Sequence, residues 1–381
     1  MSSNHSTNAD IAVQPPSTAS TTTTSAPPPE NSSSSTGLGK IPGTSRARNS
    51  TSSEQLVGGD NSDPFFGLSF KVGVAENKNT TYRNKMEDVH TYIANFAERV
   101  DWGYFAIFDG HAGKGTARWC GNNLHTLLED EIDGQDENPA PVLGKHDMKQ
   151  SLCNAFVKAD ELIEKEGVGS SGSTAAVAVL RWETDRNEKE EPKKTEEGTE
   201  EKVESKGDKT KDQTSFDFVP AYHHKRMLYT SNVGDSRIIL FRKGKPYRLS
   251  FDHKATDILE VNRIRANGGL VMKNRVNGVL AVSRSLGDSY MKDIVIGRPF
   301  TTSTEITKDD EFMILACDGV WDVLSDLKAC QFVHNLFRDA NTDPQVAAKK
   351  LCQLAIENST TDNVTVMIVK FDKTIFNVKE Q

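Results

Sequence analysis

The 381-residue chain lacks the features that mark membrane-bound, secreted and disulfide-linked proteins. It has no apolar run long enough to span a bilayer, and its first residues lack the apolar core of a signal peptide. Its five cysteines are odd in number, show no Cys-x-x-Cys spacing and lie within apolar patterns. We therefore expect reduced core cysteines without a catalytic role, no membrane association, and a protein of the cytoplasm and nucleus.

Net charge is scarce outside two low-complexity segments, which we predict to be disordered. Residues 1–62 are mostly Ser, Thr, Asn, Pro and Gly, and the segment 183–218 is rich in acidic residues. These two segments carry most of the net charge of −8, so the remaining core is close to neutral and offers no electrostatic case for nucleic acid. The acidic segment is interpreted as a solvated loop, with adaptor docking through it or the tail as the alternative.

The rest of the chain is predicted to form one domain over 63–372, interrupted by the acidic insert and followed by a short tail, 373–381. Strand patterns flank the insert, so it should interrupt a hairpin. Helical periodicity occurs in pairs before the insert and near the C-terminal end, with one further helix, 258–266, between them. Paired helices between strands predict an α+β fold: two stacked antiparallel sheets flanked by helix pairs.

Aspartates at the ends of apolar, β-type runs are the most informative local pattern. Carboxylates delivered by several strand ends concentrate negative charge, and such a concentration is normally tolerated only around bound cations. The sequence therefore predicts a metal site before any particular activity. The five aspartates are Asp109, Asp235, Asp288, Asp318 and Asp362.

Two further residues indicate phosphate chemistry at that site. Arg83 lies close in sequence to Glu87 and Asp88, and a planar guanidinium is well matched to a phosphate dianion. His111 follows Asp109 and Gly110, where an imidazole could act as a general acid for a leaving oxygen. Carboxylates bind Mg²⁺ or Mn²⁺, so the combination favours hydrolysis of a phosphate ester.

At this point the chain closely resembles the type 2C family of metal-dependent Ser/Thr protein phosphatases. Eight segments match in the family's order and cover nearly all of the predicted core. The small fungal members resemble it most, through 73–78, 101–104 and 119–121. The matching segments are 83–90, 108–113, 171–174, 232–237, 252–254, 281–288, 316–322 and 361–365.

The resemblance implies two Mg²⁺ or Mn²⁺ ions per subunit and a metal-bridged hydroxide as nucleophile. Asp109 would bridge the ions, with the Gly110 carbonyl, Asp318 and Asp362 as the other direct ligands. Asp235 would serve a weaker third ion with Asp318. The remaining assignments are Glu87, Asp88 and Asp322 acting through water or from the second layer, Arg83 binding phosphate, His111 as general acid, and 262–276 as a flap beside the site.

It also implies phosphoprotein substrates, with kinases of stress-activated MAP kinase signalling as the finer expectation, and a monomer. The alternative is a phosphoprotein-binding adaptor with the same fold and little catalysis. All the candidate catalytic positions are present, which favours the enzyme. Asp288 is expected to be a turn residue that supports the site from outside the metal set.

Overall fold

Two five-stranded antiparallel sheets dominate the part of the chain that the structure, a computed structural model, describes. That part comprises residue 65 and residues 67–134, 147–184, 224–339 and 342–376. The predicted tail 1–62, most of the predicted insert and the last five residues lie outside it. The helices are α1 Gly115–Asp133, α2 Met148–Lys165, α3 Ile258–Ala266, α4 Asp318–Trp321, α5 Asp326–Phe337 and α6 Pro344–Glu357.

The strands follow the order expected from the apolar runs. One large sheet has the order β1-β15-β14-β8-β9 and the other β13-β7-β6-β3-β2, with a small sheet β12-β5-β4 and a hairpin β10-β11 beside them. The strands are β1 Phe70–Asn77, β2 Val89–Ala94, β3 Gly103–Phe108, β4 Gly110–His111, β5 Gly172–Ser173, β6 Ala175–Thr184, β7 His224–Val233, β8 Arg237–Arg242, β9 Lys245–Arg248, β10 Val271–Met272, β11 Arg275–Val276, β12 Leu286–Gly287, β13 Phe300–Ile306, β14 Asp310–Ala316 and β15 Val364–Phe371.

Successive side chains of a strand point to opposite faces of its sheet, so each large sheet packs against the other sheet on one face and against helices on the other. In β3, Phe105 and Ile107 pack into the core between the two large sheets, whereas Tyr104 and Phe108 pack against α1 and α2. The second sheet is covered in the same way by α5 and α6. The predicted α-β-β-α sandwich is therefore confirmed.

The helix boundaries follow the capping signals in the sequence. Ser325 caps α5 by accepting a hydrogen bond from the Lys328 amide at 3.2 Å. Asp343 caps α6, and Pro344 occupies its first position as predicted. Of the helices in the described ranges, none has the length and apolar character that crossing a membrane requires.

One boundary and one short helix differ from the prediction. The insert was expected to begin at residue 183, but β6 continues through Thr184. The reason is that Glu183 is buried and its carboxylate accepts a hydrogen bond from the Tyr229 hydroxyl at 2.7 Å. The short helix α4 was not predicted either, because its four residues are too few to show a helical period.

Candidate metal centre

Four of the candidate carboxylates lie at strand ends from both large sheets. Asp88 directly precedes β2 and Asp109 directly follows β3, which is its neighbour in one sheet. Asp318 comes two residues after β14, and Asp362 lies two residues before β15, in the other sheet. The stacking of the two sheets brings these strand ends together at one edge of the sandwich.

Distances between potential ligand atoms and the raised pKa values of the carboxyl groups show that these side chains lie close together. One potential ligand atom each of Asp88, Asp109 and Cys317 lies within 4.8 Å of the others. Burial raises the pKa of Asp109 well above its usual value, and the charges of Asp88, Asp318, Asp235 and Asp362 raise it further. Five carboxylates therefore share one electrostatic environment.

Burial also shifts the pKa values of two neighbours of Asp109, namely Asp88 and Asp318. Burial raises the pKa of Asp88 to about 6, although a 2.6 Å hydrogen bond from the Thr365 hydroxyl partly offsets the shift. Burial likewise raises the pKa of Asp318, with the charge of Asp235 as the next contribution. Such uncompensated carboxylates suit a divalent cation, since bound cations remove the repulsion.

The donor set fits a hard metal ion. Carboxylate oxygens and the buried Gly110 carbonyl are ligands of the type that Mg²⁺ and Mn²⁺ accept. Cys317 is unsuited to the role, because burial and the neighbouring carboxylates raise its pKa and keep the thiol neutral. Its sulfur instead accepts a hydrogen bond from the Thr365 amide at 3.2 Å.

Two glycines allow the segments around the centre to approach. A Cβ on Gly110 would lie 2.6 Å from the Glu87 carbonyl oxygen, and a Cβ on Gly319 would lie 1.9 Å from the Asn363 carbonyl oxygen. Both contacts are shorter than any side chain permits, so glycine is required at each position. The Asp-Gly pairs noted in the sequence thus combine a carboxylate with a close backbone contact.

Asn363 links the segment that carries Arg83 and Glu87 to β15. Its side-chain amide donates hydrogen bonds to the carbonyls of Lys78 and Lys85, at 2.8 and 3.0 Å, and its Oδ1 accepts from the Glu87 amide at 2.9 Å. No role for Asn363 was predicted from the sequence. Its position directly after Asp362 was the available signal.

Asp235 lies in the turn between β7 and β8, on the side of Asp318. Lys254 Nζ lies 3.2 Å from Asp235 Oδ2 and 3.4 Å from Asp322 Oδ1. Burial lowers the pKa of Lys254, but the charges of Asp235 and Asp322 outweigh it and raise the pKa overall. Lys254, which lies in the matching segment 252–254 and for which no role was predicted, is therefore the cation that these carboxylates share in this structure.

Arg83 and His111 flank the carboxylates. The Arg83 side chain is 45% exposed, forms an ion pair with Asp362, and donates from Nε to the Thr361 carbonyl at 3.1 Å. His111 lies in β4 with its Nε2 2.8 Å from Asp288 Oδ2. Asp288 lies between β12 and a 3-10 helix, Ser289–Met291, and it contacts the predicted general acid directly.

Known proteins are similar to this chain over most of its length. The Protein phosphatase 2C family model matches residues 72–184 and 181–364. The chain is 48% identical over 304 residues to Protein phosphatase 2C homolog 1 of Saccharomyces cerevisiae, with 80% of this chain and 94% of that protein covered. It is 36% identical to Protein phosphatase 2C homolog 1 of Schizosaccharomyces pombe, with 82% and 76% covered.

A solved structure extends the likeness to the fold. The serine-threonine phosphatase 2C from Toxoplasma gondii superimposes with a TM-score of 0.58 at 21% identity, covering 79% of this chain and 95% of that one. At that identity the match concerns the arrangement of strands and helices. It agrees with the two stacked sheets and their flanking helix pairs.

Proposed function

The chain belongs to the protein phosphatase 2C family of metal-dependent serine/threonine phosphatases, and we propose that it acts through a binuclear Mg²⁺ or Mn²⁺ centre. The observation that carries this proposal is the cluster of carboxylates around Asp109, whose pKa burial and neighbouring charges raise. Asp109, the Gly110 carbonyl, Asp318 and Asp362 would hold two ions. A weaker third ion would use Asp235 with Asp318, and Glu87, Asp88 and Asp322 would act through water.

Divalent cations bound there would activate water and neutralise charge on the phosphoryl oxygens. The chain's own side chains would do the rest. Arg83 is half exposed and carries a permanent positive charge, so it would bind and orient the phosphate of the substrate. His111 would donate a proton to the serine or threonine oxygen as its bond to phosphorus breaks, and that oxygen would leave as an alcohol.

The test is phosphate release from a phosphothreonine peptide by wild-type protein and by Asp109→Asn. Wild type should need Mg²⁺ or Mn²⁺ and lose activity with EDTA, whereas Asp109→Asn should lose at least about a hundredfold in kcat. Asp309→Asn, which changes a partly exposed aspartate paired with Lys243, is the matched control and should stay active. Wild-type turnover by Asp109→Asn would refute the proposal. A wild-type chain that releases no phosphate with either metal would instead favour the phosphoprotein-binding adaptor.

Titration calorimetry with Mn²⁺ tests the number of ions separately from turnover. Two strong sites per chain are expected, and Asp109→Asn should lose both because its carboxylate would bridge them. Asp235→Asn should keep both and lose only weak additional binding. A single strong site in the wild type would refute the binuclear assignment while leaving the phosphatase activity intact.

The proposed substrates are kinases of stress-activated MAP kinase signalling, in the cytoplasm and nucleus. The support is the resemblance to small fungal type 2C phosphatases. Dephosphorylation of a phosphorylated stress-activated kinase should be faster than that of unrelated phosphoproteins of equal concentration. If the segment 185–218 docks partners, a variant without it should still hydrolyse a phosphopeptide but should no longer bind an adaptor. Imaging of the tagged protein in cells tests whether it is present in both the cytoplasm and the nucleus.

A further inference from the structure

Asp288 is buried and points its carboxylate at His111. Its side chain is fully inaccessible, and Oδ2 lies 2.8 Å from His111 Nε2. The Ser285 hydroxyl also donates to Oδ2, whereas Oδ1 has no hydrogen-bond partner. A buried carboxylate with an unpaired oxygen is costly to folding, so its retention calls for a functional explanation.

The backbone around Asp288 is held in an unusual conformation. Its φ of 50° is in the left-handed region, which a residue with a side chain seldom adopts. Its amide donates to the Ser171 carbonyl at 3.1 Å, and the preceding Gly287 amide donates to Asp160 Oδ1 at 2.9 Å. Lys292 forms an ion pair with Asp160 and secures this support from α2. Strained backbone that surrounding contacts hold in place is typical of functional positions.

The contact between Asp288 and His111 requires a glycine at position 172. It pairs with His111 on one side and with Gly287 on the other in the small sheet. A Cβ at Gly172 would lie 2.1 Å from Asp288 Oδ2 and 2.2 Å from His111 Nε2. The carboxylate and the imidazole therefore meet over a strand position that is open only because it is glycine.

We propose that Asp288 is a positioning residue for the phosphatase reaction: it holds His111 by Nε2 and leaves Nδ1 for the leaving oxygen. Among the described residues His111 Nδ1 has no hydrogen-bond partner. In the step, the bond from phosphorus to the serine or threonine oxygen breaks and that oxygen takes the proton from Nδ1. The ring keeps its Nε2–H bonded to Asp288 throughout. This inference rests on the proposed role of His111.

The leaving group distinguishes positioning from mere structural support. A serine or threonine oxygen needs a proton to leave, whereas p-nitrophenolate leaves readily without one. Asp288→Asn should therefore lower kcat on a phosphothreonine peptide by about ten- to a hundredfold and change kcat on p-nitrophenyl phosphate by less than about threefold. Asp310→Asn is the matched control: Asp310 is also buried, but it pairs with Arg242 at the far end of β14 and should show no such selectivity.

A double-mutant cycle with His111→Gln completes the test. If Asp288 acts through His111, the double variant should be no slower than His111→Gln alone. Equal losses on both substrates, or losses that multiply in the double variant, would overturn the inference. If Asp288→Asn fails to fold, Gly172→Ala separates the same two side chains and should give the same selectivity.

The role of His111 and the role of Asp288 are refuted by different results. If His111→Gln shows no selective loss on the phosphothreonine peptide, the general-acid role falls and the inference falls with it. If His111→Gln shows the selective loss and Asp288→Asn does not, only the positioning role is refuted.

Discussion

Removing one negative charge from the metal centre should stabilise the metal-free protein. Asp88 is 1% exposed, and burial raises its pKa to about 6 from an ordinary value of 3.8. In the folded state the ionised form is therefore disfavoured relative to the unfolded chain. Asp88→Asn removes that cost and keeps the shape of the side chain, so its Oδ1 can still accept the Thr365 hydrogen bond.

The sign and size of the effect follow from the two pKa values. Because the folded pKa is the higher one, ionised Asp88 destabilises the fold above pH 6, and the cost disappears as the pH falls towards 3.8. The difference between a pKa of 3.8 in the unfolded chain and about 6 in the fold corresponds to about 3 kcal/mol of destabilisation at pH 8, and to roughly half of that at pH 5. Asp88→Asn should gain stability by these amounts.

Urea unfolding in EDTA at pH 8 and pH 5 measures the gain directly. Asp310→Asn is the control, since it removes a buried aspartate that is paired with Arg242 and should lose stability instead. With saturating Mn²⁺ the advantage of Asp88→Asn should shrink, because bound cations stabilise the wild-type carboxylates. A variant that is less stable than wild type in EDTA at pH 8 would refute the reasoning.

Two other substitutions test the exposed Arg83 of the site and the buried Glu260 of α3. Arg83→Lys keeps the charge but loses the planar guanidinium, so KM for a phosphothreonine peptide should rise about tenfold; steady-state kinetics measure this, and an unchanged KM would contradict it. Burial alone would raise the pKa of Glu260, but its hydrogen bonds with Arg284 and Arg263 lower it to about 2, so its stabilising effect is present above pH 4.5 and lost as the pH falls through 2. Glu260→Gln should therefore cost about 3 kcal/mol locally at pH 7, seen as faster hydrogen exchange in α3; unchanged exchange would count against it.

The elements and the candidate carboxylates were predictable because they depend on local sequence. The caps at Ser325 and Asp343 start helices through their own side chains, and the apolar runs before Asp109 and Asp318 read as strands. Helix α3 was predicted in the same way from its helical period, and it occupies the expected range, 258–266. Each of these features involves neighbours within a few positions.

Contacts between distant segments were not predictable from one sequence. His111 and Asp288 are 177 positions apart, and whether they meet depends on the register of β4 and β12 against β5. The composition also favours exposed charges, yet Arg226 is buried, with its guanidinium donating to Ser69 Oγ at 2.7 Å. When a charged residue occurs within a strand pattern, the sequence does not show which distant group will pair with its charge.

Family resemblance and the contacts in the fold give different information about which carboxylates bind the ions directly. Resemblance ranks Asp318 and Asp362 as direct ligands and places Asp88 behind water. In the fold, a carboxylate oxygen of Asp88 lies within 4.8 Å of a carboxylate oxygen of Asp109. Asp88 Oδ2 accepts a hydrogen bond from the Thr365 hydroxyl, so one of its two oxygens is already engaged. A side chain held in that way is well placed to orient water at the centre while its charge still adds to the attraction for cations. Loss of Asp88 should therefore weaken metal affinity less than loss of Asp109, even though both carboxylates belong to the same cluster.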